Sequence, residues 1–88
     1  MMYKVIFRKE VEKYIKKLDK PTRLRIRNAI LELAENPYLD KNVKPLEGGE
    51  SLFRKRVGDF RIVFSVENEQ FVILIIKVSS RGDVYKNL

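Results

Sequence analysis

Apolar positions along this chain change their period from one stretch to the next, and each change marks an element. YKVIF, Tyr3 to Phe7, is short and rich in β-branched and aromatic residues, which predicts a first strand. From Lys9 the period lengthens: Val11, Tyr14, Ile15 and Leu18 form one stripe of an amphipathic helix. LDKP interrupts that helix. Pro21 then suits the first turn of a second one, where the missing N–H has no partner to lose. Ile26, Ala29, Ile30 and Leu33 give this second helix a buried stripe, and it should run to about Glu35 before Asn36 and Pro37 end it. Leu24 and Leu31 lie on nearly the opposite side. Either neighbouring loops cover them, or they belong to a groove for a partner's helix or strand.

Tyr38 to Glu50 reads as a loop closed by Gly48 and Gly49. Three strands follow, roughly Ser51 to Val57, Phe60 to Val66 and Phe71 to Ser79. The order is β-α-α-β-β-β: an α+β domain, two N-terminal helices packed on a small four-stranded sheet, spanning residues 1–88 as one unit. The last strand, FVILIIKVS, is apolar at both parities, as expected of an interior strand covered on both faces, by the helices on one side and with room for a partner on the other.

The hairpin around Gly58-Asp59 has the most informative pattern. With Val57 opposite Phe60, Arg56 faces Arg61, Lys55 faces Ile62, Arg54 faces Val63 and Phe53 faces Phe64. Alternation then gathers Phe53, Val57, Phe60, Ile62, Phe64 and Val66 on one face and Arg54, Arg56 and Arg61 on the other. Lys55 falls on the apolar side, where its stem can follow the core edge while the ammonium reaches water. Opposed like charges destabilise a hairpin, so three guanidiniums on one small face need a reason. They could be a solvated face balanced by carboxylates such as Glu10, Glu12 or Glu47. Yet arginine forks match phosphate oxygens bidentately and never lose their charge, which favours a phosphate-binding face.

Composition sharpens this picture. The chain has 88 residues and a formal net charge of +7, which favours polyanionic partners. It has no cysteine and no histidine, so disulfides, thiolate chemistry and the usual neutral-pH base are absent. No cofactor is implied. The opening residues lack the apolar run of a signal peptide or membrane span, so a cytoplasmic protein is expected. Past the last strand, Arg81 and Tyr85 sit where functional groups collect on a rigid scaffold, although a loop charge and a packing aromatic are the plainer readings of each alone.

NP after the second helix, KPLEG in the loop, LFRKRVGDFRIVF in the hairpin and VSSRGDVY at the end together resemble the RelE/ParE superfamily of toxin–antitoxin toxins, from Tyr3 to Tyr85. The resemblance implies the microbial-ribonuclease-like RelE fold with a twisted, mainly antiparallel sheet. Its RNA-cleaving members carry basic residues on the strand before the glycine turn, an arginine after it, a late arginine and a late tyrosine. Arg54 and Arg56, Arg61, Arg81 and Tyr85 fill those places, with arginines at 54 and 56 where the bacterial archetype has lysines. The implied activity is ribosome-dependent endoribonuclease cleavage of mRNA in the ribosomal A site, with an acidic RelB-like antitoxin as partner. Other members poison DNA gyrase without catalysis, and a basic RNA-binding module is a further alternative.

Metal-free cleavage would use the 2′-hydroxyl as internal nucleophile and leave a 2′,3′-cyclic phosphate. Arg56, Arg61 and Arg81 suit stabilisation of the charge that develops at phosphorus. Arg54 and Lys55 are further phosphate-binding candidates. Tyr85 is the candidate general base, or a platform for a base, since adjacent cations favour the phenolate. The acid for the leaving oxygen stays open between Arg81, Arg54 and Lys55. Leu24 and Leu31 are the candidate antitoxin anchors.

Overall fold

The structure, a computed structural model, describes residues 2–46 and 52–80. Strand β1 (Lys4–Phe7) leads into α1 (Lys9–Lys16) and α2 (Lys20–Glu35), and four strands follow: β2 (Val43–Pro45), β3 (Leu52–Val57), β4 (Phe60–Glu67) and β5 (Val72–Ser80). Asp19 caps α2 by accepting a hydrogen bond from the Thr22 N–H at 3.3 Å, and Pro21 sits in the first turn. Asn36 ends α2 in an extended conformation rather than the left-handed one that asparagine permits.

The sheet order is β1-β5-β4-β3-β2, with β1 parallel to β5 and the other neighbours antiparallel. The α+β architecture and the mainly antiparallel sheet agree with expectation, but the described residues form five strands rather than four. The extra one, β2, lies inside the stretch expected to be loop. Three residues are too few to show alternation, and Pro45, lacking an N–H, suits only an edge strand such as this.

One face of the sheet carries the core. Ile26, Ala29, Ile30 and Leu33 of α2 and Val11 of α1 pack on Ile62, Phe64 and Val66 of β4 and Ile73, Ile75 and Val78 of β5. The helical stripe expected for α2 is therefore the buried one. In α1 only Val11 is fully buried, while Tyr14 and Ile15 pack half-buried against the same cluster. A bulge shifts the inward parity of β5 near its end, while Val72, Leu74 and Ile76 stay half-buried on the other face. Val63 pairs with Lys77 but Phe64 pairs with Ile75, so Ile76 is supernumerary, and Ile75 and Val78 both point inward three residues apart.

The end of the molecule remote from Gly58 is tied by Asn68, whose Oδ1 accepts from the Tyr3 and Tyr38 hydroxyls at 3.1 and 2.8 Å. Phe71 there adopts φ 53°, a left-handed conformation costing a residue with a Cβ about 1 kcal/mol. Its edge contact with the Tyr3 ring offsets part of that cost.

Candidate functional site: a basic face on the sheet

Gly58 takes φ 58° and turns β3 into β4. The register that follows is Arg56 with Arg61, Lys55 with Ile62, Arg54 with Val63 and Phe53 with Phe64, as counting outward from the turn implies. Arg54, Arg56 and Arg61 consequently share the sheet face opposite the helices, with Arg56 and Arg61 exposed and Arg54 half-buried. Neither Glu10 nor Glu12 neutralises them: among the described residues the three arginines have no ion-pair partner. Glu47 lies outside the described residues, as do Arg81 and Tyr85.

Tertiary pairing adds two lysines that sequence reasoning missed. Lys44 of β2 pairs with Arg54, and Lys77 of β5 pairs with Val63, so both exposed side chains belong to the same face. Five cations thus lie on four adjacent strands, a patch roughly 14 Å across at about 4.8 Å per strand. The signal available for Lys77 was its being the one charge in a strand that is apolar up to its two terminal serines; Lys44 had none, because β2 itself was hidden.

Lys55 departs from expectation. Its ammonium does not reach water. The residue is 2% exposed, donating to the Ala29 carbonyl at 2.9 Å and to Glu32 Oε1 at 3.1 Å, and it pairs with the Asp40 carboxylate. Those three partners turn it away from the arginine face, so it is a tie between β3 and α2 and not a phosphate contact in this geometry. The cause is that a lysine on the core side of β3 finds acceptors on the helix above it sooner than it finds solvent. Burial raises the pKa of Asp40, but hydrogen bonds from Lys55 and the Asn42 N–H, with the charge of Lys55, outweigh it and hold the carboxyl below its ordinary value.

Leu24 and Leu31 are each 49% exposed, so loops do not cover them. Leu31 lines a groove of about 460 Å³ with Val5, Phe7, Ile15 and Ile30, rimmed by Lys16, Arg23 and Arg27 with one acid, Glu12. Leu24 is not part of its wall.

A mainly antiparallel sheet with two helices on one face and, on the other, a cluster of arginines without ion-pair partners among the described residues makes a small basic α+β protein. The family described as the ParE toxin of type II toxin–antitoxin system, parDE, matches residues 5–85. The RelE1 protein of Methanocaldococcus jannaschii is 32% identical over 89 residues, covering 99% of this chain and 99% of its own length. A RelE-like protein of Escherichia coli is 30% identical, covering 97% and 92%. A chain of the archaeal RelE–RelB complex from Pyrococcus horikoshii superposes with a TM-score of 0.81 at 34% identity, covering 93% of this chain and 98% of that one. The isolated RelE toxin of E. coli shares the fold, with a TM-score of 0.77 at 22% identity, covering 98% and 99%. The chain belongs to the ParE toxin family, within the RelE/ParE superfamily of type II toxin–antitoxin toxins.

Proposed function

We propose that this toxin is a ribosome-dependent endoribonuclease that cleaves mRNA in the ribosomal A site without a metal or cofactor. The observation that carries the reading is the Arg56–Arg61 cross-strand pair, flanked by Arg54 and free of carboxylate partners among the described residues. A hairpin tolerates opposed cations at some cost in stability, and a phosphate between them converts that repulsion into binding.

The reaction follows from RNA chemistry. The 2′-oxygen loses its proton and bonds to the adjacent phosphorus, the P–O5′ bond breaks, and the departing oxygen takes up a proton, leaving a 2′,3′-cyclic phosphate. Arg56 and Arg61 stabilise the charge that grows on the phosphoryl oxygens, each such donor contributing on the order of 3 kcal/mol. Arg81 joins them in this role and Tyr85 accepts the 2′-OH proton; both assignments rest on the resemblance of VSSRGDVY to the superfamily's RNA-cleaving members. Arg54, with Lys44 and Lys77, holds the flanking backbone. With no histidine and no cysteine in the chain, positioning by the ribosome supplies what the side chains do not.

The partner that restrains the toxin is an acidic antitoxin, as the RelE–RelB complexes among the similar structures suggest. Its apolar anchors use the groove beside Leu31, and its acids meet Lys16, Arg23 and Arg27.

A second reading, inhibition of DNA gyrase without catalysis, is favoured by the ParE name of the matching family. Induced expression followed by mapping of mRNA 5′ ends separates the two. Cleavage within codons, lost with Arg61→Gln, supports the ribonuclease. DNA damage with intact mRNA overturns it in favour of gyrase.

A further inference from the structure

Arg56 stands opposite Arg61, and the backbone decides how closely. The Arg56 N–H donates to the Asn42 carbonyl at 3.2 Å, on the β2 side of β3. A strand residue directs its N–H and C=O to the same side, so Arg56 exchanges no backbone hydrogen bond with Arg61. Pairs of this kind bring their Cα atoms to about 4.5 Å and their side chains closest together. The two like charges thus push on β3 at a rung where no backbone hydrogen bond joins it to β4.

What resists that push comes from the β2 side and from behind the strand. Asp40, in the turn after α2, uses both of its carboxylate oxygens there. Oδ1 accepts the Asn42 N–H at 2.9 Å, and Oδ2 pairs with the Lys55 ammonium. Asn42 in turn offers its carbonyl to the Arg56 N–H. The contacts close a ring: Asp40 to Asn42, Asn42 to Arg56, Arg56 along the chain to Lys55, and Lys55 back to Asp40. Lys55 is held further by the Ala29 carbonyl and Glu32 Oε1 of α2.

One carboxylate therefore grips β3 twice, through the side chain of Lys55 and the backbone of the residue after it. Alternation sends the Arg56 side chain to the opposite face of the sheet, so Asp40 lies behind the basic face and acts on it only through β3. We propose that Asp40 is a positioning residue for RNA cleavage, setting through Asn42 and Lys55 where Arg56 meets the phosphate held with Arg61. This rests on the ribonuclease reading and gives a role in it to a residue outside the basic face.

The test compares two double variants, both carrying Lys55→Met so that no buried ammonium is left unpaired. Asp40→Leu, Lys55→Met loses both links. Asp40→Asn, Lys55→Met keeps a side-chain oxygen that accepts the Asn42 N–H, as asparagine does in turns. Single-turnover cleavage on mRNA-programmed ribosomes is measured over a range of toxin concentrations, with melting temperatures and amide exchange at Arg56 by NMR. The leucine variant should cleave about tenfold more slowly at saturation, part of the roughly hundredfold lost when such a donor is removed outright. Its half-saturating concentration should stay within about twofold of wild type, because the charge of Arg56 remains on the face, and its Arg56 N–H should exchange faster. The asparagine variant should keep slow exchange and a rate near wild type. A leucine variant as fast as wild type overturns the role, as does an equal loss of rate in both variants. A loss that follows melting temperature rather than exchange at Arg56 overturns it too. A wild type that cleaves no mRNA sinks the ribonuclease reading and the role with it, whereas equal cleavage by wild type and leucine variant sinks the role alone.

Discussion

The Asp40 carboxylate closes on the Lys55 ammonium underneath the strand that carries Arg54 and Arg56. The two residues come from different elements, one from the turn after α2 and the other from β3, and both side chains are largely out of water, 11% and 3% exposed. Glu32, the other carboxylate on Lys55, is 70% exposed and adds little. The strand presenting the arginines is thus fastened from behind by a charge pair.

Breaking that pair on one side should be expensive, and replacing it whole should not. Asp40→Ala leaves a buried ammonium with weakened compensation and is expected to cost about 3 kcal/mol. The double variant Asp40→Leu, Lys55→Met removes both charges and should recover most of the loss. Urea unfolding of the two variants measures the difference.

Acid should open the same tie. Asp40 has a folded pKa below its ordinary 3.8, so its contribution is complete above that value and disappears as pH falls through the lower, folded one. Asp19, lowered by its hydrogen bonds to Thr22, acts in the same direction at the start of α2. Wild type and Asp40→Asn should therefore differ in melting temperature at pH 7 and converge as pH falls below 3.8 through the folded pKa of Asp40.

The facing arginines should show a conflict between stability and activity. Arg61→Gln removes a like-charge opposition from Arg56 and is expected to stabilise the hairpin by roughly 0.5 kcal/mol. The same change should slow ribosome-dependent cleavage about a hundredfold. Thermal melts and single-turnover cleavage on one protein preparation give both numbers.

The two exposed leucines of α2 should not be equivalent. Leu31 lines the apolar groove and Leu24 does not, although each is half exposed. Leu31→Glu is expected to weaken antitoxin binding at least tenfold, with Leu24→Glu changing it much less. Titration calorimetry with the antitoxin, alongside melts showing both variants folded, checks the ranking.

How far such features were legible depended on their range along the chain. The Arg56–Arg61 register needed only Gly58 and strand alternation, both local, and the α2 stripe needed only helical period. Lys55 was placed correctly on the core side by the same counting. Its partners Ala29, Glu32 and Asp40 come from residues well before it in sequence, and no spacing rule connects them.

The sequence by itself determined the elements with a strong period, the separation of an apolar from a basic hairpin face, and the RelE/ParE resemblance. Only the tertiary structure decided the rest: the hidden strand β2 with Lys44, the bulge at Ile76 that turns Ile75 and Val78 both inward, and the closing of Asp40 on Lys55 and Asn42. The physical reason is one of distance. Periodicity reports which face of an element a residue occupies, whereas neighbours across strands and between layers are chosen by packing of the whole core.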